Sequence, residues 1–524
     1  MCKPEVSSTE QHSLEKIDNY TRYGDNYLKH DSCGLWELKI QGEAYSRGRA
    51  QGILMKDLLH FQEKVFVDKI YEIVPSKAYV KFLRFFIQIF NRRLGENITE
   101  EYRKEILGIS ESCTTDYNEF GTPYQRQLNY HGAHDIGHTM QDYMLVGCTS
   151  FASWGERSKD STLIIGRNFD FYVGDDFAKN KLVTICSPET GYKFVSIGWA
   201  GMIGVLSGMN EKGLSITINA AKASVPRSAK TPISILAREI LQYASSIEEA
   251  YEIAKSREVF VSESLLIGSA KDGKAAIIEK SPDKIALFHT KNENQIICTN
   301  HFQSDVYALS ERNINNIKSS DSNYRYTRVA QLIDSLSPMN ATSVARILRE
   351  KKGVNGEDIG LSNPMGIDQQ IAHHSVIFKP QQKIMYISTA PWQEGKYVAY
   401  DLSKIFKDGD FSKTLHTKSL EIAADSVFLN KDYKRLLEYR QFVKEIKDCI
   451  KHGKKFSKEE MSAFIASNPN MYLTYKLLGD YCYSVYENQD AVKYWKQALT
   501  KQIPYENEII TLQEDIDDVQ NNKK

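Results

Sequence analysis

What most constrains this chain is the way short β-rich runs alternate with helical stretches between residues 146 and 390. From Val146 the text breaks into CTSFASWG, TLIIGRNFDF, LVTICSP, YKFVSIGWAG, IGVLSGMN and GLSITINAA, each bounded by Gly, Asn or Asp turns. NEKG at 210–213 reads as a hairpin connection between two of them. Helical stretches follow over 232–243 and 246–256, the second opened by an SIEE cap. Strands return at SLLIGSA, KAAIIEKS, KIALFHT and QIICTNHF. Helices follow near 325–350, then a last strand pair, SVIFKP and KIMYISTA. Two blocks of strands, each with helices to cover it, predict an α+β fold in four layers, αββα.

The flanks read differently. Residues 1–34 are polar and are expected to form a loose arm or a first short helix. A strand over 35–40 turns at Gly42 into a region, 44–115, that reads mostly as helix. Within it, AYVKFLRFFIQIFNRRL (78–94) carries aromatic residues at helical spacing among basic ones. Core packing, a wall beside a substrate and a membrane-interface helix all fit that pattern. Beyond residue 415 the strands stop. LLGDYCYSVYENQDAVKYWKQAL places Leu478, Gly479, Ala491, Trp495 and Ala498 as in the tail of a tetratricopeptide repeat, with Cys482 where Tyr is usual and Pro504 one residue late. The expected organisation is a mostly helical leader over 1–147, a core over 148–415 and a helical, repeat-like extension over 416–524. A single repeat cannot bury its own face, so the extension is expected to pack on the body or form a short helical hairpin array, and it could meet a protein partner or a second copy.

Lys plus Arg and Asp plus Glu are 67 each, which leaves no net field to draw the chain to nucleic acid. No run approaches the roughly 20 apolar residues of a membrane span. As written, the chain reads as cytoplasmic. Cys2 is also where a lipid anchor would sit had a signal ending before it been removed. The eight cysteines are scattered, with no CxxC pair and no zinc spacing, and no phosphate loop or coenzyme glycine motif is present. Neither a cofactor nor a metal site is expected. HGAHDIGH places His131, His134 and His138 at spacings that metal ligands use, but Gly132 and Gly137 weaken a helix there, and a polar loop is the plainer reading. His373 and His374 read as packing or surface residues.

The chemistry concentrates at Gly147–Cys148. A thiol is a good nucleophile once a base takes its proton. Were Cys148 the first residue of a chain, its α-amine, with a reference pKa of about 7.7–8.0, would be that base. Gly147, lacking a Cβ, tolerates the close approach that cutting the bond before Cys148 needs. A buried Cys beside a Gly in a strand is the plain alternative. Arg167 and Asp170 follow in GRNFDF, spaced to hold each other and to orient amine and thiol. Asn219 ends GMNEKGLSITIN and Asn300 lies in CTNHF. Each offers a side-chain amide to a developing oxyanion. SSDSNYRYTR supplies Arg325 and Arg328, which compete to brace the site, and Thr149 or Ser150 become nucleophiles only if the cut is displaced.

The order Cys, Arg–x–x–Asp, GMNEKGL…N, TN, S–x–x–R–Y resembles the N-terminal-nucleophile (Ntn) cysteine hydrolases of choloylglycine hydrolase and penicillin V acylase type. It is most similar to the C45 branch that includes acyl-coenzyme A:6-aminopenicillanic acid acyltransferase and is related to acid ceramidase. GCTSFASWGER, YKFVSIGWAGMIGVLSGMN and GEAYSRGRAQG also resemble that branch, and the resemblance covers roughly residues 35–400. It implies an αββα sandwich, autocatalytic cleavage at Gly147–Cys148 and a small-molecule N-acylated amide substrate. It also implies roles: Cys148 as nucleophile and base, Arg167 and Asp170 positioning it, Asn219 and Asn300 serving the oxyanion, Arg325 bracing. Hydrolysis of a linear amide and acyl transfer use the same site. A different class of function, a helical-repeat adaptor carrying an inactive body, would cut no bond and acylate no cysteine. Substrate choice lies in pocket shape, not motif.

Overall fold

The computed structural model describes residues 3–6, 11–73, 76, 91–132, 145–223, 228–291, 293–408 and 410–521. Two sheets lie face to face, the larger mixed through one parallel pair and the smaller wholly antiparallel. The larger has eleven strands: β1 (Leu14–Ile17), β2 (Tyr20–Tyr23), β3 (Asn26–His30), β4 (Trp36–Gly42), β7 (Leu182–Pro188), β8 (Phe194–Gly198), β9 (Ser207–Asn210), β10 (Leu214–Ala220), β11 (Glu263–Ser269), β12 (Lys274–Lys280) and β13 (Ile285–Phe288), in that spatial order. The smaller runs β14 (Gln295–Cys298), β5 (Leu145–Ser153), β6 (Ile164–Tyr172), β15 (His374–Lys379), β16 (Ile384–Ser388) and β17 (Tyr397–Asp401). Period-2 alternation sorts the side chains. Ile185, Ile197, Met209, Leu266 and Ile277 of the first sheet meet Ile165, Val376, Phe378, Met385 and Ile387 of the second in one core layer. Gly268 lets the sheets close, because a Cβ there would strike Ile165 across the gap.

Helices cover both outer faces. Residues of opposite parity in the first sheet, Ile216, Ile218, Leu265, Ile267 and Ile278, pack under Leu236, Ile240 and Leu241 of Ile233–Tyr243 and Ala250 and Ala254 of Ile247–Ser256. On the other side, Phe151, Ile164, Ile377 and Tyr397 pack under Val329 and Ile333 of Ser322–Leu336 and Val344, Ile347 and Leu348 of Ala341–Leu348. The four αββα layers are thus present. The expected details at 210–256 are present too. Asn210 Oδ1 accepts from the N–H groups of Lys212 and Leu214, both at 3.0 Å, closing the hairpin at Gly213, whose φ is +76°. The Ser246 hydroxyl accepts the Glu249 N–H.

The N-terminal part differs from expectation. Residues 14–30 form three strands, not an arm or helix, and β4 runs parallel to β7 from Trp36↔Leu182 to Gly42↔Pro188. Short runs such as YTRY and NYLKH carry too little apolar alternation to be recognised alone. They become strands because β4 offers an edge to pair with. The helices Ala44–Leu54 and Glu100–Ser110 then pack so closely that a Cβ on Gly48 would meet the Glu105 carbonyl. Arg47 and Glu105 pair there, fully buried, at 2.5 Å. The aromatic segment 78–94 lies almost wholly outside the described residues, as do Cys2, His134 and His138. No described helix is long and apolar enough to cross a membrane.

After Ser426 the described chain is helical: Ser426–Lys431, Tyr433–His452, Lys458–Ser467, Tyr472–Ser484, Asn488–Ala498 and Glu506–Gln520. These helices share a core that reaches the body at Leu361. Asn468 clasps Leu361 through both backbone groups, at 3.0 and 2.9 Å, and Arg440 donates to the Gln370 carbonyl at 2.6 Å.

Candidate active site

Cys148 lies in β5, the second strand of the smaller sheet, between β14 and β6. Its side chain points between the sheets and is 1% exposed. The ladder sets its surroundings: Cys148 pairs with Phe169, Gly147 with Asp170 and Ser150 with Arg167. Alternation therefore puts Cys148, Ser150, Arg167 and Phe169 on the inter-sheet side, and Gly147, Thr149, Asn168 and Asp170 on the side facing the helices.

Arg167 is fully buried, with its guanidinium carbon 4.4 Å from the Phe169 ring centroid. It donates to the Ile218 carbonyl at 2.6 Å and to the Ser207 hydroxyl, and its Nη2 lies 3.8 Å from Cys148 Sγ. His374 Nε2 is 3.2 Å from Arg167 Nη1 and 2.8 Å from Ser207 Oγ. Burial keeps this histidine neutral. His373, whose Nδ1 lies 2.9 Å from His374 Nδ1, is pushed down to about 3 by burial and by Lys181 and Arg167. Neutral imidazoles and carbonyls thus surround the buried Arg167 without competing for its charge. Burial pushes the Cys148 thiol up to about 11 against the pull of Arg167, so in the uncut chain it is a thiol.

The other face is organised by Arg325 in the helix Ser322–Leu336. Its fork donates to the Cys148 carbonyl at 2.7 Å, Thr149 Oγ1 at 2.9 Å and Asn300 Oδ1 at 2.7 Å. Arg328 points elsewhere, to Glu350 at 3.2 Å. Asn300 Oδ1 also accepts the Cys148 backbone N–H at 2.9 Å, while its amide donates to the Ala220 carbonyl. Asn300 therefore offers an oxygen, not an amide hydrogen, to Cys148. Asn219 sits across the gap with its amide on the Cys298 carbonyl and its oxygen accepting from Ser150 Oγ, both at 2.9 Å. Asp170 is fully buried, and neither carboxylate oxygen has a hydrogen-bond partner among the described residues. Burial holds its carboxyl well above the usual range, with Arg325 opposing. A Cβ on Gly147 would lie 2.6 Å from the Gln369 amide.

Cys148, Arg167, Asp170, Asn219, Asn300 and Arg325 therefore converge on one stretch of β5, though Arg167 and Asp170 occupy opposite faces and do not pair with each other. Sequence reasoning missed Ser207, His374 and Ser322, whose hydroxyl accepts the Asn300 N–H at 2.8 Å. Of the two alternatives for His373 and His374 the packing one holds: both are buried, and His374 lies against Arg167. His131 is buried with both ring nitrogens engaged, at the Gln127 carbonyl and the Ile203 N–H.

An aromatic path leads away from Cys148. Phe169 stacks on Phe171 at 5.5 Å, and Phe171 on Trp199 at 6.1 Å. Phe171 and Trp199, with Phe66, Phe177 and Met202, line an open cleft whose wall also carries Glu63, Gln127 and Tyr130.

Residues 156–359 match the model of the acyl-coenzyme A:6-aminopenicillanic acid acyl-transferase family. The matched span holds Arg167, Asp170, Asn219, Asn300 and Arg325 and begins after Cys148, and it agrees with the resemblance read from the motifs. An uncharacterized protein of Archaeoglobus fulgidus is 24% identical over 50% of this chain and 46% of its own length. Protein dcd1B of Dictyostelium discoideum is 24% identical over 49% and 53%, and dcd1A of the same organism 21% over 73% and 85%. The chain thus spans about half the length of the first two relatives. Among solved structures, a Caenorhabditis elegans N-acylethanolamine-hydrolyzing acid amidase ortholog aligns with a TM-score of 0.32 at 15% identity, over 45% of this chain and 93% of that one. Conjugated bile acid hydrolase from Clostridium perfringens aligns with a TM-score of 0.33 at 17%, over 49% and 93%.

Proposed function

We propose, with the match of residues 156–359 to that family as premise, that this chain is an acyl-transferring enzyme of linear amides that uses Cys148 as an N-terminal nucleophile after its own Gly147–Cys148 bond is cut. The observation that carries this reading is the clamp on Cys148. Its backbone nitrogen, its carbonyl and its thiol are each held by a different predicted residue, Asn300, Arg325 and Arg167.

In the first step the thiol attacks the Gly147 carbonyl. The C–N bond breaks, the proton passes to the departing nitrogen, and a thioester joins Gly147 to Cys148. Water opens the thioester, leaving Gly147 as a carboxylate and restoring the thiol. The new α-amine keeps Asn300 Oδ1 as acceptor. Cleavage also dissolves the Gly147↔Asp170 ladder pair and leaves the unpartnered Asp170 carboxylate beside the new ammonium, which would draw its pKa down. With a substrate amide, the thiolate attacks the acyl carbon, the α-amine hands its proton to the leaving amine, and water or a second amine resolves the thioester. The aromatic space beyond Phe169 fits an apolar acyl group. Since the family match is to an acyl-transferase, transfer to an amine is the second reading of the same intermediate.

The test is the intact mass of the purified chain beside Cys148→Ala, followed by hydrolysis of N-acyl amino acids of rising acyl length with and without added amine. Fragments 1–147 and 148–524 in wild type only, with turnover rising with acyl length, are expected. A single full-length mass in both proteins would end the N-terminal-nucleophile reading, and a flat length profile would remove the apolar acyl pocket from it.

A further inference from the structure

Away from Cys148, the turn between β3 and β4 meets the strap that follows β17. Asp31, Cys33 and His416 each bring one ligand-type atom to a common point, all within 4.8 Å of one another. His416 Nε2 lies 3.6 Å from Cys33 Sγ and 3.7 Å from Asp31 Oδ2. These spacings have a metric meaning. Zinc takes Zn–S of about 2.3 Å and Zn–N of about 2.0–2.1 Å, and a tetrahedral angle between such bonds separates sulfur from nitrogen by about 3.5 Å. An ion fits among the three atoms with little movement.

The cluster is also built to leave those atoms available. Asp31 Oδ1 is taken up by the turn, accepting the N–H groups of Cys33 at 2.8 Å and Leu35 at 2.9 Å. That fixes the carboxylate and leaves Oδ2 with no hydrogen-bond donor, although the side chain is only 4% exposed. The His416 ring is 2% exposed, and its second nitrogen sits 2.9 Å from Glu421 Oε1. A carboxylate behind an imidazole fixes the tautomer that presents the opposite nitrogen to a metal. The strap is held in place by the bridge Tyr400↔His416 and the Thr417 N–H on the Ala399 carbonyl at 2.8 Å. Lys396 also lies here, 3.1 Å from Glu421 Oε2 and next to Cys33, so its ammonium is the competing occupant of the same negative site.

We propose that Asp31 Oδ2, Cys33 Sγ and His416 Nε2 bind one zinc ion, with water in the fourth position and Glu421 orienting the imidazole. The ion acts as a clasp. It fastens the β3–β4 turn, from the N-terminal side of Gly147–Cys148, to the strap that leads into the C-terminal helices. Binding converts the Cys33 thiol to thiolate and releases its proton to solvent.

The experiment uses the full chain, stripped with chelator and titrated with Zn²⁺ and, as a spectroscopic probe, Co²⁺. One zinc per chain and a sulfur-to-cobalt charge-transfer band are expected in wild type. The band should be absent in Cys33→Ser. Affinity in Glu421→Gln should fall by about 10–100-fold, the usual cost of losing a group that orients a ligand. Zinc should also shield Cys33 from alkylation, read by peptide mass mapping. His416→Gln is included, but Cys33→Ser, at a part-buried position, decides the matter should the histidine variant fail to fold. No stoichiometric metal in wild type would mean that Lys396 neutralises the cluster and would overturn the proposal. So would zinc binding undiminished in Cys33→Ser.

Discussion

Two arginines three residues apart, Arg325 and Arg328, compete in the sequence for one role, and only the helix they share separates them. Arg325 turns its fork into β5 and bridges the Cys148 carbonyl, Thr149 and Asn300, while Arg328 turns to Glu350. Lysine has the charge but not the planar fork, so it cannot make those bonds together. Arg325→Lys should lower kcat/KM by at least about tenfold, as expected for losing a charged hydrogen bond worth about 1.5–3 kcal/mol. Arg328→Lys should leave kcat/KM nearly unchanged. Steady-state kinetics on the two variants, with melting curves to monitor folding, check this, and equal losses would remove Arg325 from the site. Asn300 teaches a related point. Its amide nature was legible, but its orientation was not: it presents oxygen to Cys148 because its amide is spent on the Ala220 carbonyl.

At the scale of elements, contact distance decides more than propensity does. In the C-terminal region the helix Tyr472–Ser484 crosses Asn488–Ala498 at Gly479, where a Cβ would strike the Trp495 indole, whose Nε1 donates to Asp480 at 2.9 Å. Gly479→Ala raises helix propensity yet forces that indole aside. It should therefore destabilise the helical region by about 1–3 kcal/mol, read as a lower denaturant midpoint; a stabilised variant would contradict the packing. The N-terminal strands make the opposite point. Residues 14–42 are sewn into the larger sheet through β4 and β7. If the chain is cut at Gly147–Cys148, the two pieces should co-elute on gel filtration and part only in denaturant. Separation in buffer would show that this pairing does not hold the leader.

At the scale of the whole molecule, buried histidines give the fold an acid side. His131 is held neutral and pushed down to about 4, chiefly by burial, and His301 likewise, by burial and by Arg325. An unfolded histidine titrates near 6.5. Between about 4 and 6.5 the unfolded chain therefore binds protons that the native chain does not, and stability rises with pH across that window. These groups contribute fully above about 6.5, and their contribution is lost as pH falls toward 4. Glu37 runs the other way. Burial raises it to about 7, so its contribution is lost as pH climbs from the ordinary glutamate range through 7. Replacing His131 with Gln should flatten the acid limb of a melting-temperature profile between pH 4.5 and 6.5. An unchanged limb would assign it to other groups.

What the sequence determined by itself is whatever short-range chemistry encodes. The hairpin at Asn210–Gly213 and the Ser246 cap rest on residues a few positions apart, and the alternation of strands β5 to β12 with the helices that cover them is a local pattern. It predicted four layers and sent Cys148, Arg167, Asn219 and Arg325 to one place. Local periodicity cannot register events that need a distant partner. Residues 14–30 become strands because β4 finds β7. Arg167 and Asp170 are driven to opposite faces by the pleat and answer to different neighbours, His374 and Ser207 on one side and Arg325 on the other. The Asp31–Cys33–His416 cluster spans 383 positions between its cysteine and its histidine, far beyond any spacing rule for metal ligands. Only the tertiary structure decided these, because burial and pairing depend on what the rest of the chain brings alongside.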